Sequence, residues 1–148
     1  MAIEKKGTMF ILSSPSGVGK TTLTKKIVKN NQSFKISISY TTRTPRPNEV
    51  NGEDYHFIKK DEFSNLVKRN SFFEHAKIFD NYYGTHKETV LELISKGNDV
   101  LFDIDWQGTQ QLKKIKNLSL VTIFILPPNI KVLRERLMNR HKDDEEIT

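Results

Sequence analysis

Residues 10–22 read Phe-Ile-Leu-Ser-Ser-Pro-Ser-Gly-Val-Gly-Lys-Thr-Thr, an apolar run followed by a loop of small residues and then by helix-forming sequence. A strand, a tight loop and a helix in this order are typical of α/β proteins in which the loop holds phosphate groups. The backbone N–H groups of such a loop and the positive end of the helix dipole converge on one spot. The segment therefore predicts a site for the β- and γ-phosphates of a nucleotide.

Two side chains that follow the loop carry the expected chemistry. Lys20 is predicted to reach the phosphates, and the hydroxyl of Thr21 is placed to ligate Mg²⁺. The usual motif, GxxxxGK[ST], begins with Gly, whereas this chain has Ser14 at that position. The alternative is an ordinary Gly/Ser/Pro turn with Lys20 in solvent. The order of strand, loop, Lys-Thr pair and helix favours the phosphate site.

The composition restricts the compartment and the partners of the chain. Its 148 residues suggest one domain, and the absence of cysteine excludes disulfides and thiolate metal sites. No apolar run approaches the roughly 20 residues that span a bilayer, and residues 1–6 lack the apolar stretch of a secretion signal. We therefore predict a cytoplasmic enzyme with no membrane partner, and no obligate protein partner is evident.

The net charge of +6 raises the question of nucleic-acid binding. The basic residues are scattered, in no run longer than three, and no helix face consists of cations alone. Attraction for small phosphorylated ligands explains the excess as well as nucleic acid would. The charge alone therefore decides nothing; for the chain as a whole we predict nucleotide ligands and no nucleic-acid partner.

Apolar periodicity predicts alternating strands and helices. The predicted strands cover 8–13, 35–39, 99–103 and 120–126, and the predicted helices cover 20–31, 87–96 and 107–116. In the first helix Leu23, Ile27 and Val28 are expected to face the core. The last strand is almost wholly apolar, which predicts cover on both of its faces, as in a parallel sheet. A final helix follows Asn129.

Residues 40–85 interrupt this alternation and are rich in Thr, Pro, Asn and aromatic residues. Asn51-Gly52 is a strong turn signal, and a short strand is predicted at 55–58. Asp61 is expected to cap a helix that ends near Asn70. The change of texture predicts a subdomain inserted into the α/β core.

Two arginines in the insert are candidates for binding a second phosphate. Arg43 and Arg46 are three residues apart in a Thr/Pro-rich loop, and a guanidinium fork can form two parallel bonds to a phosphate. Together with the hydroxyls of Tyr55 and Tyr83 they can hold a dianionic monophosphate. The alternative is a pair of solvated surface arginines.

Acidic residues complete the candidate site. Asp103 and Asp105 emerge on the same side of a strand end, and such an end lies beside loop 14–21 and the loop after Ser39 in a parallel sheet. One such carboxylate typically orients Mg²⁺ or its waters, although both can be turn-capping residues. Glu74 follows two phenylalanines, and a carboxylate in an apolar slot can accept from N1–H and N2–H₂ of guanine. Spacing alone favours an ordinary surface acid for Glu74.

At these residues the chain resembles the guanylate kinase family. The similar blocks are residues 14–22, 39–46, 49–55, 73–76, 81–85 and 103–108, in the family's order and spacing, within a resemblance that runs from about 8 to 142. The resemblance implies ATP-dependent phosphorylation of GMP and dGMP with Mg²⁺, in purine nucleotide metabolism. The four histidines have no ligand spacing, so no zinc site is predicted.

The resemblance also implies a role for each matching residue. The implied ATP-binding residues are Ser14, Pro15, Ser16, Gly17, Val18, Gly19, Lys20, Thr21 and Thr22. The implied GMP-binding residues are Ser39, Arg43, Arg46, Tyr55, Glu74, Tyr83, Thr85 and Asp105. The implied catalytic residues are Lys20, Arg43, Arg136 and Arg140, and the implied metal-binding residues are Thr21 and Asp103.

The fold implied is an α/β phosphate-loop core with helices on both faces of a parallel sheet, an inserted GMP-binding subdomain and a truncated lid. One domain over 1–148 would comprise a core at about 1–39 and 86–131, an insert at about 40–85 and a partial lid at about 132–148. The family's C-terminal core strand and helices are expected to be absent. A segment of a longer protein is favoured over a short chain with an impaired ATP side, because a missing strand would expose an unpaired edge.

Three other functions remain open. One is a non-catalytic guanylate-kinase-like module that binds phosphorylated peptides, although such modules typically have a degraded phosphate loop and this chain retains Lys20 and Thr21. A kinase for another acceptor is the second, and Glu74 and Asp105 count against it because they suit the donor edge of guanine. The third is an inactive fragment that keeps GMP affinity.

Overall fold

A computed structural model describes residues 6–15 and 18–145, with side chains described as far as residue 139. The strands are β1 (Met9–Ser13), β2 (Phe34–Ile36), β3 (Tyr40–Thr41), β4 (His56–Phe57), β5 (Phe72–Ile78), β6 (Asn81–His86), β7 (Asp99–Asp103) and β8 (Leu120–Phe124). The helices are α1 (Lys20–Asn30), α2 (Lys60–Lys68), α3 (Lys87–Ser95), α4 (Trp106–Lys113) and α5 (Ile130–Glu145). Within this part of the chain, no helix has both the length and the apolar character needed to cross a membrane.

Four parallel strands form the core sheet in the order β2-β7-β1-β8. Met9 of β1 lies opposite Val100 of β7 on one side and opposite Leu120 of β8 on the other. Near the carboxyl end of β1, Leu12 lies opposite Asp103, the last residue of β7. The loops that follow β1 and β7 therefore open at the same edge of the sheet, where sites in such folds lie.

Helices cover both faces of the core sheet. The chain crosses from β1 through α1 to β2 in one direction and from β7 through α4 to β8 in the other. Right-handed crossovers in opposite directions place α1 and α4 on opposite faces. The buried cluster on the face of α3 and α4 consists of Met9, Ile11, Val90, Val100, Phe102, Ile104 and Leu112. This arrangement confirms the predicted α/β core.

A second sheet, in the order β4-β3-β6-β5, lies within the stretch from Tyr40 to His86. β3 is parallel to β4 and antiparallel to β6, and β5 and β6 form a hairpin. Phe63 of α2 stacks on Phe72 of β5 with ring centroids 4.8 Å apart. Phe79 at the hairpin tip is 93% exposed and has a φ of 54°.

Some local predictions about the helices are wrong. Leu23 of α1 is 40% exposed and Thr24 is 2% exposed, so Thr24 takes the core-facing position predicted for Leu23, while Ile27 and Val28 are half-buried. Lys59, not Asp61, is the N-cap of α2. Asp61 lies in the first turn instead, where its charge favours the positive end of the helix dipole.

The predicted cover of the last core strand is also wrong. β8 is at the edge of the described sheet, with Ile123 45% exposed and Phe124 62% exposed. The helices that contact the core sheet most, α1, α3 and α4, pack over β1, β2 and β7, so the outer part of the sheet is left uncovered within the described residues. The predicted strand at 35–39 is shorter than expected and ends at Ile36.

The hairpin of β5 and β6 was not among the predicted strands. Its alternation is regular from Glu74 to Lys77, with Glu74 and Ala76 buried and His75 and Lys77 exposed. Because one of the buried positions is an acid, a count of apolar residues does not detect this alternation. The two turn residues are Phe79 and Asp80, which lack the usual Asn-Gly signal of a hairpin.

Candidate active site

The loop from β1 to α1 presents the start of a helix to the open edge of the core sheet. Gly19 is the N-cap of α1 and has a φ of 91°, a left-handed conformation that favours glycine. Within the described residues no side chain caps this end of α1, so backbone N–H groups of its first turn are available to an anion. Ser16 and Gly17 of the predicted loop lie outside the described residues.

Lys20, Thr21 and Asp103 form a polar cluster where β7 ends. The Nζ of Lys20 lies 2.9 Å from Oδ1 of Asp103 and donates to the carbonyl oxygen of Ile104 at 3.3 Å. The hydroxyl of Thr21 donates to Oδ2 of Asp103 at 3.1 Å. One carboxylate therefore binds two side chains of the first turn of α1. The ammonium of Lys20 carries three N–H groups, so one remains outside these two bonds.

Arg43 is bound by Glu49 through both carboxylate oxygens. Nη1 and Nη2 of Arg43 donate to Oε1 and Oε2 of Glu49, each at 2.8 Å. Oε1 also accepts from the backbone N–H of Arg46 at 2.8 Å. Hydrogen bonding raises the pKa of Arg43 above its ordinary value and lowers the pKa of Glu49, so both groups stay charged near neutral pH.

Glu74 is a buried acid that faces a glycine of α4. Glu74 is 4% exposed, and its Oε1 accepts a short hydrogen bond from the hydroxyl of Thr85. Asp105 is the N-cap of α4 and accepts from the backbone N–H of Gly108 at 3.0 Å. A Cβ atom at Gly108 would overlap the Glu74 carboxylate. The absence of a side chain at Gly108 therefore leaves space for the Glu74 carboxylate.

Burial raises the pKa of Glu74 to about 7. The hydrogen bond from Thr85 acts in the opposite direction, and the negative charge of Asp105 adds to the increase. Loss of water around a carboxylate disfavours its charged form, which is why the acid titrates near neutrality. Buried ionisable groups with such shifts are frequent at functional sites.

Three adjoining cavities are lined by the predicted site residues. The arginine cavity, about 270 Å³, is lined by Ser39, Arg43, Arg46, Glu49, Tyr55 and Tyr83 among others. The Glu74 pocket, about 210 Å³, is lined by Lys20, Ser39, Glu74, Ala76, Tyr83 and Asp105 among others. The loop cleft, about 850 Å³, is lined by Ser14, Pro15, Val18, Gly19, Lys20, Thr21, Thr22, Phe79, Trp106 and Arg136 among others. Tyr55 and Asp103 line all three, so the three cavities meet at these two side chains.

Helix α5 brings one arginine to the loop cleft. Nη1 of Arg136 donates to the carbonyl oxygen of Val18 at 3.0 Å. Arg136 therefore contacts the loop between β1 and α1 directly, with its exposed guanidinium at the cleft wall. The side chain of Arg140, the second predicted arginine of this helix, lies outside the described residues.

Comparison with known proteins identifies the family. A family model described as Guanylate kinase matches residues 6–148. The chain belongs to the guanylate kinase family. A guanylate kinase of Rickettsia bellii is 54% identical over 143 residues, which are 97% of this chain and 74% of that protein. A guanylate kinase of Paramagnetospirillum magneticum is 46% identical over 145 residues, 98% of this chain and 68% of that protein.

The fold agrees with a solved guanylate kinase. The crystal structure of guanylate kinase from Anaplasma phagocytophilum matches with a TM-score of 0.79 and 34% identity, over 93% of this chain and 70% of that chain. The predicted family, fold class and kinase activity are therefore confirmed, and the similarity to guanylate kinases supports ATP-dependent phosphorylation of GMP.

The candidate site also contains three residues that the sequence alone did not indicate as part of it. Glu49 binds Arg43, the carbonyl oxygen of Ile104 accepts from Lys20, and Gly108 leaves room for Glu74. A signal for Glu49 was present in the sequence, since Pro47-Asn48 predicts a turn. The backbone N–H of Glu49 donates to the carbonyl oxygen of Arg46 at 3.0 Å, which turns the acid back toward the arginines.

Proposed function

We propose that this guanylate kinase transfers the γ-phosphoryl group of ATP to GMP or dGMP in the cytoplasm. A phosphate oxygen of the acceptor would form a bond to the γ-phosphorus as the bond to the β–γ bridging oxygen breaks, which leaves ADP. The observation that carries this proposal is the meeting of the three cavities at Tyr55 and Asp103. It allows the phosphates of two bound nucleotides to approach each other between the phosphate loop and the arginines.

On the ATP side, we assign phosphate binding to the loop from Ser14 to Thr22. The uncapped first turn of α1 supplies backbone donors, and Lys20 retains one N–H for a phosphate oxygen while still bonded to Asp103. Arg136, already in contact with Val18, would add positive charge at the γ-phosphate. Arg140 would support it from the next turn of α5.

Thr21 and Asp103 fit a magnesium ion. Their oxygen atoms lie 3.1 Å apart, and Mg²⁺ prefers oxygen ligands. Mg²⁺ is usually bound by one or two protein ligands together with substrate phosphates and waters, so these two residues could hold it beside a nucleotide. When bound, Mg²⁺ would neutralise charge on the nucleotide phosphates.

On the GMP side, we assign the phosphate to the arginine cavity. Arg43, Arg46, Tyr55 and Tyr83 line it and offer two guanidinium groups and two hydroxyls to one dianion. Charge neutralisation there would let two anionic nucleotides share the site. Because phosphoryl transfer needs little covalent chemistry from the protein, such positioning is the main contribution.

The guanine base is assigned to the Glu74 pocket. The ionised carboxylate can accept from N1–H and N2–H₂ of guanine, whereas adenine and the pyrimidines lack this pair of donors. Ser39, Thr85 and Asp105 would complete base recognition, since Ser39 and Asp105 line the pocket and Thr85 binds Glu74. We further propose that about 40–85 is the GMP-binding insert, about 1–39 and 86–131 the core and about 132–148 a partial lid.

A panel of acceptors tests this function. ADP release from ATP would be measured in a coupled assay with GMP, dGMP, AMP and UMP. GMP and dGMP should support turnover, and AMP and UMP should not. Absence of turnover with GMP would contradict the proposal. GMP binding without turnover would instead support a non-catalytic guanylate-kinase-like module or an inactive fragment.

The pKa of Glu74 predicts a pH dependence of GMP recognition. Only the ionised carboxylate accepts from both guanine donors, and its pKa is about 7. Between pH 8 and pH 6 the ionised fraction falls from about 0.9 to about 0.1, so KM for GMP should rise about tenfold. Because the phosphate of GMP titrates near pH 6 as well, Glu74→Gln is measured over the same range. If KM for GMP varied with pH in the same way in the unchanged protein and in Glu74→Gln, this role of Glu74 would be refuted.

A further inference from the structure

The guanidinium of Arg43 is held by three hydrogen bonds, and Glu49 accepts two of them. The two side chains are each 17% exposed and form a bidentate ion pair with both N–O distances at 2.8 Å. We propose that Glu49 is a positioning residue that orients Arg43 toward the acceptor phosphate. This inference rests on the proposed function and adds a residue to which no role has been assigned above.

The hydrogen-bond pattern leaves one edge of the guanidinium for the phosphate. Arg43 has five N–H groups, and three are used, two by Glu49 and one by the carbonyl oxygen of Thr44, which lies 3.0 Å from Nη1. The N–H of Nε and the second N–H of Nη2 take no part in these bonds, and they lie side by side along one edge. Two parallel donors on one edge match two oxygens of a phosphate.

Aromatic rings also pack against one side of the guanidinium. Cζ of Arg43 lies 5.4 Å from the ring centroid of Tyr55 and 5.9 Å from that of Phe57. Tyr83 lines the same cavity. A long flexible side chain is thereby restricted to one orientation before any ligand binds. Ordering it in advance removes an entropic cost from acceptor binding.

Glu49 also connects Arg43 with Arg46. Oε1 accepts from the backbone N–H of Arg46, and the turn at Pro47-Asn48 returns Glu49 to both arginines. A single carboxylate therefore fixes the side chain at one end of the loop and the backbone at the other. Loss of Glu49 would free both ends of the segment that is assigned to the acceptor phosphate.

The charge of Glu49 and its contact with Arg43 are expected to have opposite effects on GMP affinity. A carboxylate beside a phosphate dianion repels it, so by charge alone Glu49 would weaken GMP binding. By orienting Arg43 toward the phosphate, Glu49 would strengthen GMP binding. The isosteric change Glu49→Gln removes the charge and one acceptor oxygen, and the direction of the change in GMP affinity therefore separates the two effects.

The first measurement compares Glu49→Gln with the unchanged protein. KM for GMP, and Kd for GMP by calorimetry without ATP, should rise about tenfold, the effect expected for loss of a charge-assisted hydrogen bond. KM for ATP should change less than twofold, which general loss of structure would not produce. Glu92→Gln is the matched control, because Glu92 is exposed and pairs with Lys96 away from the cavity. An unchanged or lower Kd for GMP would overturn the proposal.

A double-mutant cycle with Arg43→Lys tests whether Glu49 acts through Arg43. Lys cannot form the bidentate pair, so Arg43→Lys should weaken GMP binding by itself. Adding Glu49→Gln to Arg43→Lys should then weaken binding less than twofold further. If the two substitutions instead raised Kd for GMP by independent factors that multiply in the double variant, the proposal would be overturned. Because Kd is measured without turnover, a protein that binds GMP but transfers no phosphate contradicts only the proposed function, whereas one that binds no GMP contradicts both.

Discussion

Replacing Lys20 by Met is expected to lower kcat for GMP phosphorylation by about 10³-fold, comparable to the loss of a donor that stabilises a transition-state anion. Lys20 is the one residue of the polar cluster that combines a positive charge with an N–H outside the observed bonds. Charge on the transferred group is spread over its oxygens in the transition state, so a fixed cation beside it lowers the barrier. KM for GMP should change less than about threefold, because the arginine cavity is intact.

The control for this change is Lys96→Met. Lys96 follows α3, is exposed, and has its Nζ 2.6 Å from Oε1 of Glu92, so its loss should leave kcat unchanged. Thermal unfolding of both variants would be recorded, since Lys20→Met leaves Asp103 without its ion-pair partner. A folded Lys20→Met variant that retains more than a tenth of kcat would contradict the assignment.

Replacing Glu74 by Ala is expected to raise KM for GMP by about 100-fold and to reduce the preference for GMP over AMP by a similar factor. The basis is the loss of an acceptor for two buried donors of the base, which costs a few kcal/mol. KM for ATP should change little, because Glu74 does not line the loop cleft. The assay is the acceptor panel with GMP and AMP at several concentrations.

Glu74→Gln and Glu62→Gln refine this prediction. Gln keeps an oxygen for Thr85 but offers an N–H₂ group to the donor edge of guanine, so it should also impair GMP recognition. Since burial raises the pKa of Glu74 to about 7, its ionised form destabilises the folded chain above that pH, and Gln should not lower the unfolding temperature there. Glu62 is an exposed acid of α2, so Glu62→Gln serves as the control and should leave GMP recognition unchanged. Equal increases in KM for GMP and for ATP would argue against a guanine-reading role.

The core could be predicted because its signals are local. β1, α1 and β7 follow from apolar runs, a small-residue loop and helix-forming sequence, and the parallel pairing puts Lys20 beside Asp103 as the loop order implies. The residues assigned to the two nucleotides also fall around adjoining cavities. Their roles stay predictions until the variants are measured.

The parts that could not be predicted depend on contacts between distant residues or on exceptions to the usual patterns. β5 carries an acid on its buried side, and its hairpin turns at Phe79 with a left-handed backbone that a sequence pattern does not favour. The partner of Arg43 depends on how the turn at Pro47-Asn48 folds back. The apolar character of β8 indicated cover on both faces, but position in the sheet decides exposure, and β8 is at the edge of the described sheet.

The position of Trp106 has a practical consequence for spectroscopy. It is the single tryptophan of the chain, it is 69% exposed, and it lines the loop cleft together with Phe79 and Arg136. Intrinsic tryptophan emission therefore originates entirely at the mouth of this cleft. A spectral shift or quenching on addition of a nucleotide therefore reports a change around that one side chain, so binding in the cleft can be followed optically without a dye or an engineered label.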